Sequence, residues 1–162
     1  MKFLIISDIH DNLVNLEKCL NWGRGQFIKE AICCGDMVNS ETLAYLAGNL
    51  KTIYLVRGNL EIYNEAEVKK YENINYLNRF GVFELDGKSI GLCHEPWYIK
   101  SVLDKKPCSI VFYGHTHEPW IAEKNGVTTA NPGTLGGVFT KATFAVWDSL
   151  SGELELKILE LL

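Results

Sequence analysis

Three short apolar runs alternate with two amphipathic segments over the first sixty residues. The runs at residues 2–7, 31–34 and 53–56 have the length and composition of strands buried on both faces. Between them leucine and alanine recur with helical spacing, and Asp11 or Asn12 is placed to cap the first helix. The order β-α-β-α-β predicts a parallel sheet with right-handed crossovers, which is an α/β arrangement.

The rest of the chain favours strands. The pairs Asp86-Gly87 and Asn125-Gly126 each separate two apolar runs, which is a strong signal for a β-hairpin. Residues 61–78 are polar and give only a weak helix pattern. Further elements are expected as a short helix at 96–103 and as strands at 110–113, 139–147 and 153–159, the last with Leu154, Leu156 and Ile158 on its buried face. We therefore predict an α/β fold in which two sheets pack as a β-sandwich flanked by helices, in a single domain that covers residues 1–162.

Composition narrows the classes of protein that this chain can belong to. Its 162 residues are 47% hydrophobic and carry a formal net charge of −4, which is ordinary for a globular protein and argues against a broad nucleic-acid surface. No apolar stretch approaches the roughly 18 residues of a membrane span, and the N-terminal run is too short for a signal peptide. The five cysteines are odd in number and form no C-x-x-C motif. They predict reduced core thiols in a cytoplasmic protein.

Side chains that can bind metal ions follow five of the predicted strands. All four histidines lie there, and so do two aspartates and one asparagine. Because the carboxyl ends of parallel strands meet at one edge of a sheet, these side chains are expected to converge. The predicted site consists of Asp8, His10, Asp36, Asn59, His94, His115 and His117.

Each of these motifs also has an ordinary structural interpretation. The Asp-x-His motif is equally a turn whose aspartate caps the next helix, and the Gly-Asp and Gly-Asn pairs are common turns. In an extended segment, His115 and His117 would place both imidazoles on the same face, as metal ligands or as a core or surface pair. Their joint occurrence at strand ends favours the metal site.

The donor set indicates which metals such a site would bind. Imidazole, carboxylate and amide groups without thiolate favour manganese, iron, zinc, cobalt or nickel, with manganese as the first choice. Seven side chains exceed the needs of one open catalytic ion, but they suit two divalent ions about 3.5–4 Å apart that share a carboxylate. A hydroxide that bridges two such ions is expected to attack phosphorus in line.

The ordered motifs resemble the signature of calcineurin-like metallophosphoesterases. The matching motifs are Asp8-x-His10, Gly35-Asp36, Gly58-Asn59, His94 and Gly114-His115-x-His117. The short length and the segment at 131–134, Asn-Pro-Gly-Thr, are similar to the small prokaryotic phosphodiesterases of that superfamily. The resemblance implies a four-layer α/β/β/α sandwich.

Two ligand sets and a bridge are implied by the same resemblance. The first metal would be bound by Asp8, His10 and His117. The second metal would be bound by Asn59, His94 and His115. Asp36 would bridge the two ions. Asn59 and His94 are expected to take direct part in catalysis, and Asn59 would also contact the phosphate.

The chain departs from the family pattern at several positions. Many relatives have a histidine after Gly-Asn that protonates the leaving group, but this chain has Leu60, so Glu61 or a metal-bound water would have to serve. Glu95 follows the metal histidine where relatives usually have glycine, and we expect it to point to solvent rather than to repel a dianionic substrate. No arginine follows the 131–134 turn. Arg57 is a candidate phosphate contact, although a structural role at the strand edge is at least as well supported.

Other side chains near the motifs leave alternatives open. The turn at 131–134 is expected to position the sheet rather than to contact substrate. Four aromatic residues could stack a nucleobase or line an apolar pocket, or, as favoured, pack in the core or in a subunit contact: Trp97, Tyr98, Trp120 and Phe139. The strand-rich C-terminus also leaves room for a homo-oligomer.

The sequence therefore predicts a phosphodiesterase that acts on a small phosphodiester with two divalent ions. A phosphomonoesterase with the same site is the alternative, followed by a non-catalytic scaffold that keeps the fold. Neither a nucleic-acid polymer nor a membrane is an expected partner.

Overall fold

Eleven strands form two sheets in the computed structural model, which describes residues 1–162. The strands are β1 (Lys2–Ile6), β2 (Glu30–Cys33), β3 (Thr52–Leu55), β4 (Ile74–Tyr76), β5 (Phe80–Leu85), β6 (Lys88–Cys93), β7 (Ile110–Phe112), β8 (Trp120–Lys124), β9 (Val127–Asn131), β10 (Thr143–Asp148) and β11 (Leu154–Ile158). The helices are α1 (Leu13–Gly25), α2 (Ser40–Asn49), α3 (Glu65–Val68) and α4 (Ile99–Lys105), with 3-10 turns at Pro96–Tyr98 and Leu159–Leu161.

Parallel strands occupy the middle of both sheets. The first sheet has the order β11-β10-β1-β2-β3-β4, and β1 to β4 run parallel. The second sheet has the order β5-β6-β7-β9-β8, in which β6, β7 and β9 are parallel. Hairpins at Asp86-Gly87 and Asn125-Gly126 join β5 to β6 and β8 to β9, as predicted. Each sheet thus presents several carboxyl ends along one edge.

Side-chain alternation along β1 separates two cores. Phe3 and Ile5 point into the cluster between the sheets, where Phe3 and Trp147 have ring centroids 6.1 Å apart. Leu4 and Ile6 point to the other face and pack beneath the helices on the first sheet. These four of the five β1 side chains are fully buried, which explains the continuous apolar run. A third cluster, which includes Val102 of α4, covers the outer face of the second sheet. The predicted α/β fold, a two-sheet β-sandwich flanked by helices, is confirmed.

Three details of the sequence prediction are wrong. The polar segment at 61–78 contains the short helix α3, which agrees with its weak helix pattern, but it also contains an unexpected strand, β4. This strand has only three residues, too few for a periodic pattern, and is held by pairing with β3. The strand expected at 139–147 begins only at Thr143, because the preceding residues form a loop. Strand β11 lies at a sheet edge, so Leu156 is 43% exposed instead of buried.

The cysteines lie in the core, and none of them forms a disulfide. All five cysteines are buried and free, as predicted. Burial raises the pKa of the Cys19 thiol well above its ordinary value, so this side chain behaves as an apolar core group. None of the helices combines the length and the apolarity needed to cross a membrane.

Candidate metal centre

The seven predicted ligands converge at the carboxyl ends of five strands. The loops after β1, β2, β3, β6 and β7 carry Asp8 and His10, Asp36, Asn59, His94, and His115 and His117 respectively. Their polar atoms form two neighbouring clusters. The structure places the residues in this way, while their roles as metal ligands stay a prediction.

The first cluster brings two histidines together beside one carboxylate. The Nε2 atoms of His10 and His117 lie 3.1 Å apart. The Oδ1 atom of Asp8 lies 3.2 Å from the His117 Nε2 atom and 3.8 Å from that of His10. This Oδ1 atom is buried and has no hydrogen-bond partner, which is costly for a carboxylate unless a cation binds there. The three residues therefore fit a divalent metal ion.

The second cluster is built around the amide of Asn59. Its Oδ1 atom lies 2.9 Å from the His94 Nε2 atom and 2.9 Å from the His115 Nδ1 atom. The Oδ2 atom of Asp36 lies 3.4 Å from His94 Nε2 and 3.9 Å from His10 Nε2. Asp36 thus lies between the two clusters, in the position that a bridging carboxylate would need.

The orientation of His94 is set from behind by the backbone. The His94 ring is fully buried, and its Nδ1 atom lies 2.7 Å from the Cys34 carbonyl oxygen. Because a carbonyl only accepts, Nδ1 carries the proton and the lone pair of Nε2 faces the site. A second hydrogen bond of this kind is typical of metal-binding histidines.

The charges of the two clusters are coupled. Burial by itself raises the pKa of Asp36, but a hydrogen bond and the charge from His94, together with the Leu60 N–H, hold it below its usual value. Burial disfavours the charged form of His94, yet Asp36 and Asp8 raise its pKa above the usual value. The two carboxylates therefore make the site favourable for positive charge, such as that of a divalent ion.

Asp8 is held in place by hydrogen bonds to its side chain and its backbone, and of the donors only Ser7 was not singled out by the sequence. Its Oδ2 atom accepts hydrogen bonds from the Ser7 hydroxyl at 2.5 Å and from the His115 backbone N–H at 3.0 Å. The Thr134 hydroxyl donates to the Asp8 carbonyl at 2.9 Å. Asn131 donates to the Gly114 carbonyl at 2.9 Å. The turn at 131–134 therefore positions the loops of the site, as expected. Its polar residues Asn131 and Thr134 are the sequence feature that indicates this role.

Two glycines allow the ligand loops to approach each other. A Cβ atom on Gly58 would collide with the carboxylate and backbone nitrogen of Asp36. A Cβ atom on Gly114 would collide with the Ser7 hydroxyl and lie 2.8 Å from the Asp8 carboxylate. Glycine before a ligand is therefore a packing requirement of the site as well as a turn residue.

Five of the seven predicted ligands have backbones in the left-handed region. The φ angles are 52° at Asp8, 47° at His10, 54° at Asp36, 72° at His115 and 61° at His117. Such residues cost on the order of 1–3 kcal/mol each and cluster at functional sites. The extended conformation considered for His115 and His117 is wrong, and the bend directs the two rings into different clusters.

Leu60 and Glu61, which follow Gly58-Asn59, form hydrogen bonds within the loops of the site. The carboxylate of Glu61 accepts hydrogen bonds from the N–H groups of Val38 at 2.8 Å, Gly58 at 3.2 Å and Met37 at 3.3 Å. Burial raises the pKa of Glu61 in spite of these bonds. Leu60 is 52% exposed and donates only its backbone N–H, to Asp36. Glu61 therefore joins the loops that carry Asp36 and Asn59.

The other two charged residues considered near the site each lie beside an opposite charge. Arg57 forms an ion pair of 3.2 Å with Glu65, which supports its structural role. The expectation that Glu95 points to solvent is wrong, because this residue is only 4% exposed. Its Oε1 atom lies 3.8 Å from Arg79, and its Oε2 atom is buried without a partner. The arginine beside it makes burial of this carboxylate tolerable.

The four aromatic candidates separate into three groups. Tyr98 packs as favoured, stacked on Phe80 with centroids 5.1 Å apart. Trp97 and Phe139 are not in the core, since they are 62% and 96% exposed beside histidines of the site. Trp120, also 62% exposed, lines an apolar groove of about 210 Å³ that none of the seven predicted ligands lines.

Comparisons with known proteins agree with this fold. The family model of the calcineurin-like phosphoesterase superfamily domain matches residues 1–152. Phosphodiesterase MJ0936 from Methanocaldococcus jannaschii is 28% identical over 172 residues, which cover 99% of this chain and 100% of that protein.

Solved structures of other proteins share this fold over nearly the whole chain. A structure of an archaeal phosphodiesterase superposes with a TM-score of 0.86 at 26% identity, covering 98% of this chain and 99% of that one. Vacuolar protein sorting 29 from Cryptosporidium parvum shares the fold, with a TM-score of 0.68 at 22% identity and coverage of 97% and 95%. The match of the family model over residues 1–152, a range that contains all seven predicted ligands, shows that the chain belongs to the calcineurin-like phosphoesterase superfamily.

Proposed function

We propose that this protein is a dinuclear metal-dependent phosphodiesterase that hydrolyses a small phosphodiester. The observation that carries the proposal is the pair of adjacent ligand clusters with Asp36 between them and an unpartnered buried oxygen on Asp8. Phosphodiester hydrolysis is supported by the relative named as a phosphodiesterase, which aligns over nearly the whole chain. Manganese is the preferred ion, and iron, zinc, nickel or cobalt suits the same donors.

The side chains of the site have three proposed roles: to bind the ions, to link the two clusters and to contact the phosphate. Asp8, His10 and His117 hold one ion, and Asn59, His94 and His115 hold the other. Divalent ions bound there supply positive charge for the phosphate and a water of lowered pKa as nucleophile. Asp36 orients the two halves of the site, and the NH₂ group of Asn59 remains available to donate to a phosphate oxygen because its Oδ1 faces the histidines.

Three further features belong to the proposal. The protein acts as a single domain, and its net charge of −4 supports a small substrate rather than a nucleic-acid polymer. The five buried free thiols support a cytoplasmic location. Assembly into a homo-oligomer is a further prediction.

Replacement of Asp36 tests the dinuclear proposal. We expect Asp36→Asn to lower manganese-dependent hydrolysis of bis(4-nitrophenyl) phosphate by more than about 100-fold, since even groups behind metal ligands contribute 10–100-fold. The amide keeps an oxygen for the Leu60 N–H, so the fold is preserved. Asp104→Asn removes an exposed carboxylate paired with Lys100 and serves as the matched control.

Metal content and substrate choice decide between the alternatives. The wild type is expected to bind two manganese ions per chain by mass spectrometry, and Asp36→Asn fewer. Faster turnover of 4-nitrophenyl phosphate than of the diester would favour the phosphomonoesterase. A protein that binds no metal and hydrolyses neither ester would contradict the proposal and favour a scaffold. Full activity of Asp36→Asn would contradict the role of Asp36 as the shared ligand of two ions.

A further inference from the structure

Two large aromatic side chains stand exposed at the rim of the metal centre. The Trp97 ring lies edge-to-face with His115, at a centroid distance of 5.0 Å and an angle of 81°. The Phe139 ring lies nearly parallel to His117, at 6.5 Å and 22°. Each ring thus neighbours a histidine from a different cluster. Isolated apolar side chains at a surface are common, but two beside one polar site call for an explanation.

Trp97 is directed outward by the packing of its neighbour. Both residues lie in the 3-10 turn Pro96–Tyr98, directly after His94 and Glu95. Tyr98 is anchored by its stack on Phe80 and by a hydrogen bond of 2.9 Å from Arg79 to its hydroxyl. Successive residues of a 3-10 turn point in different directions, so anchoring Tyr98 leaves Trp97 facing the site opening.

Phe139 is presented by a loop that is tied to the site at both ends. The N–H of Gly136 donates to the Asp8 carbonyl at 2.9 Å, and the hydroxyl of Thr140 donates to the His117 carbonyl at 3.4 Å. Phe139 itself has a φ of 66° and is 96% exposed. An exposed phenylalanine with a left-handed backbone does not stabilise the fold, because its ring buries almost no apolar surface and its backbone conformation is strained.

We infer that Trp97 and Phe139 form a substrate subsite that stacks the planar group on an ester arm of the phosphodiester, so that the preferred substrates are nucleoside phosphodiesters. The inference rests on the proposed function, because the phosphate is held at the metal centre. A diester carries two arms, and each cluster has one of the two rings beside one of its histidines. Stacking on an aromatic side chain tolerates any base, so this subsite would distinguish planar from non-planar ester arms rather than one base from another.

Two esters with the same leaving group measure the effect of the subsite. The substrates are the 4-nitrophenyl ester of thymidine 5′-phosphate and methyl 4-nitrophenyl phosphate, which differ only in the retained arm. We expect the wild type to prefer the thymidine ester in kcat/KM by at least tenfold, and the ratio of the two kcat/KM values to fall about tenfold in Trp97→Ala or Phe139→Ala. Trp97→Phe should keep most of the preference.

The chain offers matched controls for both aromatic residues. Trp120 is as exposed as Trp97 but lies on a different groove. Phe27 is 89% exposed and has a φ of 60°, like Phe139, and it lies beyond the end of α1. Trp120→Ala and Phe27→Ala are expected to leave the ratio unchanged. A wild-type ratio near that of the alanine variants, or an equal fall in the control variants, would overturn the inference.

Binding gives a second measurement that does not depend on turnover. Calorimetry on the manganese-loaded protein compares thymidine 5′-monophosphate with 2-deoxyribose 5-phosphate, which share the phosphate and differ in the base. We expect tighter binding of the nucleotide, by about tenfold, in the wild type and loss of this difference in Trp97→Ala. If neither ester is hydrolysed, the proposed activity fails, and this binding ratio alone decides the inference. Equal affinities in the wild type would then overturn it.

Discussion

The ligand loops at one edge of the sandwich and the hairpin turns Asp86-Gly87 and Asn125-Gly126 share one unusual backbone conformation. Both hairpin turns have two successive residues with positive φ, for example 54° at Asn125 and 75° at Gly126. The ligand loops show similar values, for example 52° at Asp8 and 72° at His115. In each hairpin turn one of the two left-handed residues is glycine, which adopts this conformation without strain. In the ligand loops Asp8 and His115 adopt it in spite of their side chains.

The difference lies in what stabilises the conformation. At Gly126 an added Cβ would meet nothing within 4 Å, so the turn depends on local chemistry alone. At Asp8 the conformation is maintained by hydrogen bonds from His115 and Thr134, which are more than one hundred residues away in sequence. Left-handed turns are thus produced locally in the hairpins and by tertiary contacts in the site.

Metal binding is expected to stabilise the site loops with the largest effect. Two sites that are each saturated at about 100 times the Kd would add about 5 kcal/mol to the free energy of unfolding. For a chain of this length, the Tm would rise on the order of 10 °C. Differential scanning calorimetry with manganese and with chelator measures the shift. Asp36→Asn should shrink it, and a Tm that is the same with and without metal would contradict the two-site proposal.

Gly58→Ala should disturb the site more than any change in a hairpin. The new Cβ would collide with the carboxylate and backbone nitrogen of Asp36, so the backbone must shift. We expect the free energy of unfolding of the metal-free protein to fall by about 3 kcal/mol in urea titrations, with weakened metal binding. Gly48→Ala in α2, where a Cβ meets nothing within 4 Å, is the control and should not destabilise. Equal stability of both variants would show that the loops can separate freely.

Thr134→Val tests a single distant contact of the Asp8 loop. The buried hydroxyl donates to the Asp8 carbonyl at 2.9 Å, and valine has nearly the same shape. Its loss should lower the free energy of unfolding by about 1–1.5 kcal/mol and also reduce activity, because Asp8 is a predicted ligand. Thr129→Val, which removes a longer contact of 3.4 Å to Ala122, should lower stability less and leave activity unchanged. The reverse order would show that the Asp8 loop does not depend on Thr134.

Gly126→Ala should give the smallest effect of the series. The left-handed backbone at this position, with φ of 75°, costs an alanine about 1 kcal/mol in the free energy of unfolding. Because the hairpin is local and lies away from the site, manganese affinity and turnover should match the wild type. Loss of activity in this variant would mean that the hairpin and the site are coupled.

Strand order and strand-end residues explain how much of the structure was predictable. Fully buried strands such as β1 have continuous apolar runs, and hairpins have glycine at a known position, so both are visible in the sequence. Strand β4 was missed because its three residues depend on pairing with β3. The burial of Glu95 was missed for a similar reason, since Arg79 lies sixteen positions away and no local pattern joins them.

By itself, the sequence determined the α/β sandwich and the seven residues that meet at its edge, because strand length, helical spacing and the polarity change at strand ends are local properties. Tertiary structure alone decided how His115 and His117 divide between two clusters, and why Trp97 and Phe139 face outward. These outcomes depend on hydrogen bonds and packing between segments far apart in the chain. Such contacts determine a side chain's direction only after the sheets have brought the loops together.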